Sequence, residues 1–276
     1  MDRWLVHLAR VLGTAAGALA GVVAVQLMRL RRMEFLPGHP GFYINHVVHP
    51  NGDERRGPRL RMAVLGDSTT AGVGVERAED SLPYLLARLV ADAEAREVHV
   101  VSFGWAGARV ADLVRQQLPR SLQPVRGTAV EPFLPGADVV AVVIGSNDAT
   151  HNTPPGRFRS DLRSVLEMVR VSAPSARVVL AGIPVFRGAL RGIEPLIFLA
   201  DQYARLLRPI SRSEAARGGA AYGDLAGEVP ERLRGRTDAL SSDQFHPSAV
   251  GYAAWADVIA AALLSETPGQ AEPAGA

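Results

Sequence analysis

Short, mostly apolar runs recur along the chain, and each is bounded by glycine or by a polar residue. The run at 139–144 is the strongest, since it consists only of valine, isoleucine and alanine. Weaker runs lie at 62–65, 98–103, 178–181 and 220–222. Because these runs show little alternation with polar residues, they are typical of strands that are buried on both faces of a parallel sheet.

Amphipathic segments separate these runs. The clearest one places its apolar residues on one face of a helix, at Phe158, Leu162, Val165, Leu166 and Val169. Similar patterns over 196–206 and 252–263 predict two more helices, the first of them ending before Pro209. The alternation of strands and helices over 59–265 predicts one α/β domain with helices on both faces of the sheet.

Residues 11–28 form a separate apolar segment without a charged side chain. As a helix it would measure about 27 Å, which is just enough to cross the hydrocarbon core of a bilayer. Arginines flank it at positions 3, 10, 29, 31 and 32. We interpret the segment as a membrane anchor. The alternatives are a signal peptide cleaved at 18–20 and a buried helix.

The predicted organisation therefore has four parts. Residues 1–32 form the anchor or signal segment, 33–58 a linker or irregular segment rich in proline and glycine, 59–265 the α/β domain, and 266–276 a disordered tail. We expect a membrane-anchored or exported protein of the cell envelope. The side of the membrane stays open, because the arginine excess after the apolar segment slightly favours a cytoplasmic domain and large domains override that signal.

Composition excludes several classes of function. The chain has no cysteine, so it has no disulfide scaffold, no cysteine-ligated zinc and no thiol nucleophile. All 30 basic residues are arginine against 28 acidic residues, which gives a net charge of +2. The pI of about 9.4 therefore reflects a flat titration curve and not a basic surface. We expect no nucleic-acid partner and infer no obligate protein partner.

Polar motifs follow the apolar runs at the points where ligands bind in open parallel sheets, the carboxyl ends of the strands. They read GDST at 66–69, GWAG at 104–107 and GSND at 145–148, and DQFH at 243–246 precedes the last helix. Each motif alone also fits an ordinary turn or a helix cap. Their occurrence together, in this order, predicts that they meet at one edge of the sheet.

The residue types in these motifs suit acyl transfer. A serine hydroxyl needs an adjacent base, so Ser68 is the candidate nucleophile and His246 the candidate base. Asp243 lies three residues before His246, a spacing that lets its carboxylate reach Nδ1 while Nε2 points towards Ser68. The backbone N–H groups of Ser68 and Gly107 and the side-chain amide of Asn147 are candidate donors to the developing oxyanion.

A second pair has the same spacing as Asp243 and His246. Asp148 and His151 follow the strongest apolar run, and His151 is a possible substrate contact. We prefer Asp243 and His246, because a loop just before the last helix faces the turn that follows the first strand. No G-x-S-x-G motif occurs, which argues against the α/β-hydrolase fold.

Together the four motifs resemble those of the SGNH, or GDSL-type, hydrolases. The resemblance covers about 59–265 and implies a three-layer α/β/α, flavodoxin-like domain with a five-stranded parallel sheet. It implies Ser68 as nucleophile, His246 as base, and Ser68, Gly107 and Asn147 as the oxyanion hole, with no metal and no organic cofactor. Ser102 stands where the family often has asparagine, and Gly104 is the alternative to Gly107.

The expected activity is a serine esterase that hydrolyses carboxylic esters through an acyl-enzyme. An acyltransferase with the same triad and a non-catalytic, membrane-tethered binding domain are the alternatives. The substrate is expected to be a small-molecule, lipid or glycan ester, and the natural ester is not encoded in a recognisable motif. Residues 185–195 are expected to border the pocket, and residues 11–28 to contact the membrane.

Overall fold

The structure is a computed structural model that describes residues 3–32, 36–52, 55–124, 131–187, 189 and 193–265. The predicted disordered tail at 266–276 lies outside the described residues. So do residues 33–35, 53 and 54 of the predicted linker.

The described residues form six strands in one sheet. These are β1 (Asn45–Val48), β2 (Leu60–Gly66), β3 (Val98–Ser102), β4 (Val139–Val143), β5 (Arg177–Ala181) and β6 (Ala221–Gly223). Their order is β1-β3-β2-β4-β5-β6, and β2 to β6 are parallel. Numbered in chain order, the five parallel strands are arranged 2-1-3-4-5, the flavodoxin-like order. The predicted fold class is confirmed.

The strand β1 differs from the prediction. It lies inside the segment at 33–58 that the sequence predicts to be linker or irregular, and it pairs antiparallel with β3 at the edge of the sheet. Its sequence, NHVV, is short and only Val48 is fully buried. An edge strand that buries one residue leaves no apolar run for sequence patterns to detect.

The part of the chain that the structure describes contains ten α-helices. They are α1 (Arg3–Arg32), α2 (Ser68–Ala71), α3 (Leu82–Glu94), α4 (Val110–Asp112), α5 (Leu118–Ser121), α6 (Ser146–Thr150), α7 (Pro155–Ser172), α8 (Leu196–Gly218), α9 (Leu225–Arg232) and α10 (Ala249–Ser265). A π-helical turn, Leu113–Gln117, joins α4 to α5. Helices α3, α9 and α10 cover one face of the sheet, while α4, α5, α7 and α8 cover the other.

Alternate residues of each central strand serve the two layers of the core. In β4, Val140 and Val142 pack with α7 and α8, whereas Val139, Ala141 and Val143 pack with α3 and α10. This period of two explains why the strand is apolar throughout, since both of its faces are covered by helices.

Helix α8 is longer than predicted. It continues through Pro209 and ends at Gly218, where Gly219 adopts a left-handed conformation with φ +61°. Beyond the proline, Ile210 and Ala215 are buried and so extend the apolar face. Packing of this face therefore outweighs the backbone hydrogen bond that the proline lacks.

Helix α1 contains the apolar segment at 11–28, and most of its described side chains are exposed. By length and composition it is long enough to cross a membrane, although a signal sequence has the same properties. Gln26 is an exception, because it is buried and its Oε1 accepts a hydrogen bond from Leu196 N, 3.2 Å away. The C-terminal part of α1 thus contacts the start of α8.

Strand β2 lies between β3 and β4. After β2 the chain adds β3 on one side of it and then crosses over to add β4 on the other side. Such a switch in strand order opens a crevice at the carboxyl ends of the strands, where ligands bind in folds of this type. The motif GDST at 66–69 begins with the last residue of β2 and therefore stands in this crevice.

Candidate active site

Ser68 occupies a tight turn between β2 and the short helix α2. Asp67 caps this helix, since its Oδ1 accepts hydrogen bonds from Thr69 N (3.0 Å) and from the Thr69 hydroxyl (2.8 Å). Gly66 is required by close approach, because a Cβ there would lie 2.6 Å from Thr70 Cγ2. The turn places Ser68 at the first position of α2, where it is 7% exposed.

His246 lies across the crevice from this serine, 178 residues further along the chain. Its Nε2 is 3.1 Å from Ser68 Oγ, and its Nδ1 is 2.7 Å from Asp243 Oδ2. With Nδ1–H donating to the carboxylate, Nε2 is free to accept the hydrogen bond of the Ser68 hydroxyl. The structure therefore brings together the three residues that the sequence predicts to form a triad.

Asp243 is held by more than its contact with the histidine. Its Oδ1 accepts hydrogen bonds from the Ser241 hydroxyl (2.8 Å), Phe245 N (2.9 Å) and His246 N (3.0 Å). Burial alone raises the pKa of Asp243, but the hydrogen bonds from His246 and its other donors outweigh burial and lower the pKa to about 2. Asp243 therefore stays ionised and fixes the histidine ring.

Asp67 has the opposite electrostatic character, although it is the residue next to Ser68. Burial raises its pKa, and the hydrogen bonds from Thr69 only partly oppose this effect. An ionised Asp67 is consequently costly in the folded protein.

Asn147 lies at the carboxyl end of β4, in the first turn of α6, and lines the same cavity as Ser68 and His246. Its Nδ2 donates one hydrogen bond to Ala108 O at 3.0 Å. Because an amide nitrogen carries two hydrogens, the second remains for another acceptor. This bond also ties α6 to the residue that follows Gly107.

The two candidate glycines after β3 differ in why they must be glycine. Gly107 is exposed and has a left-handed backbone with φ +81°, and a Cβ there would meet nothing within 4 Å. The left-handed backbone conformation therefore explains this glycine. At Gly104, in contrast, a Cβ would lie 3.0 Å from Thr70 Cβ and 3.1 Å from Asp67 O.

In the alternative pair, Asp148 and His151 each contact a different part of the backbone. Asp148 is buried, and its Oδ2 accepts a hydrogen bond from Val110 N at 3.0 Å, at the start of α4. Burial raises the pKa of Asp148 despite this bond. His151 is exposed, and its Nδ1 lies 2.9 Å from Asn147 O. Neither side chain lines the cavity beside Ser68.

That cavity has a volume of about 540 Å³, within the range of small-molecule sites. Its wall is largely apolar and includes Pro184, Val185, Phe186, Leu225, Val229, Leu240, Phe245 and Trp255. Two cationic side chains, Arg187 and Arg236, also line it. Of the predicted border at 185–195, residues 185–187 and 189 line the cavity, while 188 and 190–192 lie outside the described residues.

Several residues of this region are not predicted by sequence patterns. Leu225 and Val229 of α9, and Trp255 of α10, look like ordinary core positions at helical spacing. Gln117, which binds the backbone of Gly66, is polar and sits in an amphipathic segment, where such residues usually face solvent. No sequence signal distinguishes it.

Comparison with known proteins adds independent findings. Residues 64–254 match the family described as GDSL-like lipase/acylhydrolase. A GDSL-like esterase of Mycobacterium tuberculosis is 27% identical over 209 residues, which are 74% of this chain and 62% of the relative. The match thus spans less than two thirds of that protein.

Solved structures share the fold. An extracellular lipase from Streptomyces rimosus is 22% identical with a TM-score of 0.53, over 74% of this chain and 99% of that one. A lipase/acylhydrolase from Enterococcus faecalis is 23% identical with a TM-score of 0.56, over 77% and 100%. Phospholipase A1 from Streptomyces albidoflavus is 24% identical with a TM-score of 0.52, over 73% and 98%.

Proposed function

The chain belongs to the GDSL-like lipase/acylhydrolase family, and we propose that it hydrolyses carboxylic esters with Ser68 as nucleophile, His246 as base and Asp243 as the residue that orients the base. The observation that carries this proposal is the continuous hydrogen-bonded chain from Asp243 to His246 to Ser68, with distances of 2.7 and 3.1 Å, beside an apolar cavity.

The reaction begins when Ser68 Oγ attacks the ester carbonyl carbon and its proton passes to His246 Nε2. The negative charge moves to the carbonyl oxygen, which the Ser68 and Gly107 N–H groups and the Asn147 amide stabilise. Collapse of this intermediate breaks the ester C–O bond, and His246 gives its proton to the leaving alcohol. Water, deprotonated by His246, then attacks the acyl-enzyme, and the proton returns to Ser68 as the acid leaves.

Asp243 keeps its negative charge throughout this cycle. Its pKa of about 2 lies far below that of an imidazolium, so a proton on Nδ1 stays on His246. The ionised carboxylate favours the imidazolium that forms in each transition state. The three further donors to its other oxygen keep it from rotating away.

The cavity and α1 together suggest the class of substrate. Since the wall of the cavity is mostly apolar, it suits the hydrocarbon part of an acyl ester. We propose that residues 1–32 tether the domain at 59–265 to a membrane or direct its export, so lipid or glycan esters of the cell envelope are the expected substrates. The extracellular lipase among the structural neighbours is consistent with export.

The test is a comparison of wild type with Ser68→Ala and with Ser164→Ala, which removes an exposed hydroxyl of α7. p-Nitrophenyl esters from acetyl to palmitoyl report turnover, and a fluorophosphonate probe reports the reactive serine. We expect Ser68→Ala to lose turnover and labelling while Ser164→Ala keeps both. Labelling of Ser68→Ala at another residue would overturn the assignment.

A further inference from the structure

Gln117 makes two hydrogen bonds to the backbone of Gly66, the residue that precedes Asp67 and Ser68. Its side chain is fully buried at the end of the π-helical turn Leu113–Gln117. Its Nε2 donates to Gly66 O at 2.7 Å, and its Oε1 accepts from Gly66 N at 2.9 Å. One side-chain amide therefore satisfies both backbone groups of the last residue of β2.

The sheet itself leaves these two groups without a strand partner. Phe103 N donates to Val64 O at 2.8 Å, so the polar groups of Val64 face β3. Residues two apart on a strand present their backbone groups to the same side, so those of Gly66 also face β3. However, β3 ends at Ser102 and the chain then turns away at Gly104. The Gln117 amide takes the place of the next peptide of β3.

The π-helical turn sets the direction in which the Gln117 side chain points. A π-turn holds one more residue than an α-helical turn, so the residues after it are rotated about the helix axis. Both Gln117 and the following Leu118 are fully buried here. Such π-helical turns are rare in proteins and are frequently found at functional sites.

The geometry points to Gln117 as a positioning residue, which anchors the carboxyl end of β2 and so holds Ser68 Oγ in hydrogen-bonding range of His246 Nε2. This inference rests on the proposed role of Ser68. Glycine is the most flexible residue and Gly66 has no side chain to pack, so its peptide depends on its hydrogen bonds. A displacement of about 1 Å at a nucleophile can lower turnover about 100-fold.

Three full-length variants separate positioning from simple stability. Gln117→Met keeps the shape of the side chain and removes both hydrogen bonds. Gln117→Glu is designed to restore them, because burial disfavours the charged carboxylate and a protonated carboxyl offers one donor and one acceptor. Val169→Ala is the control, since it creates a cavity in the same core layer without touching Gly66.

Turnover, labelling rate and thermal stability are compared for these variants well below their unfolding temperatures. We expect Gln117→Met to lower kcat and the fluorophosphonate labelling rate about 10- to 100-fold with KM changed less than about twofold. Gln117→Glu should keep kcat within a few-fold of wild type, and Val169→Ala should lower Tm but not kcat. Equal kcat in Gln117→Met and wild type overturns the inference.

Crystal structures provide a readout that needs no activity. In Gln117→Met we expect the distance from Ser68 Oγ to His246 Nε2 to exceed about 3.5 Å, the limit of a hydrogen bond, against 3.1 Å here. An unchanged distance overturns the inference about Gln117, whether or not the protein hydrolyses esters. A failure of the wild-type protein to hydrolyse any ester would instead defeat the proposed function. Should Gln117→Met not fold, Gln117→Asn, whose amide is one methylene short, carries the same expectations.

Discussion

Asp243 Oδ2 lies 2.7 Å from His246 Nδ1, and the other oxygen of the same carboxylate accepts three hydrogen bonds from its own turn. The carboxylate is therefore held in place independently of the imidazole ring. It favours the histidine tautomer with hydrogen on Nδ1, which leaves Nε2 free to accept a hydrogen bond from the Ser68 hydroxyl.

Replacement of Asp243 by asparagine is expected to lower kcat about 10³- to 10⁴-fold with little change in KM, because an amide N–H facing Nδ1 favours the wrong tautomer. Steady-state kinetics with a p-nitrophenyl ester measure this effect. Asp80→Asn, which removes a surface partner of Arg77, is the control and should keep wild-type kcat. An Asp243→Asn enzyme with full kcat would falsify the orienting role.

Asp243 also predicts part of the acid sensitivity of the fold. Its folded pKa of about 2 lies below the usual 3.8, so its ionised form stabilises the folded state. This contribution is complete above about pH 4 and is lost as the pH falls towards 2, and it amounts to at most about 2 kcal/mol. Urea unfolding at about pH 6 and about pH 3 measures it.

The expected difference is that wild type loses more free energy of unfolding between these two pH values than Asp243→Asn does. Asp80→Asn should behave like wild type. If wild type and Asp243→Asn lose the same free energy, the carboxylate of Asp243 does not have the depressed pKa.

Asp67 predicts a change of the opposite sign. Burial raises its folded pKa, so its contribution is favourable below the usual pKa of 3.8 and is lost as the pH rises through the folded pKa. Asp67→Asn retains an oxygen that can accept from Thr69 and cannot ionise. We expect its Tm to exceed that of wild type at neutral pH, by a margin that disappears near pH 3 in calorimetric scans. A variant less stable than wild type at neutral pH contradicts this.

The parallel strands could be predicted from the sequence because each of them is a mostly apolar run. In β4, for example, Val140 and Ala141 pack into opposite layers of the core, so both must be apolar. The meeting of Ser68 with His246 could be expected because Ser68 follows a strand and His246 lies in the loop just before the last helix. In contrast, β1 buries a single valine, and Gln117 acts through Gly66 on a neighbouring element. Neither effect has a period or a motif, so only the folded chain reveals it.

The two glycines after β3 are expected to respond differently to alanine. At Gly107 the left-handed φ of +81° is strained for alanine, which costs about 1–2 kcal/mol and moves the N–H proposed for the oxyanion. At Gly104 the methyl group would overlap Thr70 and crowd Asp67 O. We therefore expect Gly104→Ala to lower Tm more, and Gly107→Ala to lower kcat at a modest loss of Tm. Full kcat in Gly107→Ala would assign the oxyanion donor elsewhere.

The location of the protein can be tested through the centre of the apolar segment. Leu19 is exposed on α1, in the middle of the segment at 11–28, whereas Leu5 is exposed near the start of α1, before this segment. Arginine at the centre of a membrane helix costs about 2.5–3.5 kcal/mol and much less near an end. If α1 is a retained anchor, wild type and Leu5→Arg should stay in the membrane pellet after alkaline extraction, and Leu19→Arg should shift to the supernatant. A soluble wild-type protein whose N-terminus begins after Ala20 would instead identify a cleaved signal peptide.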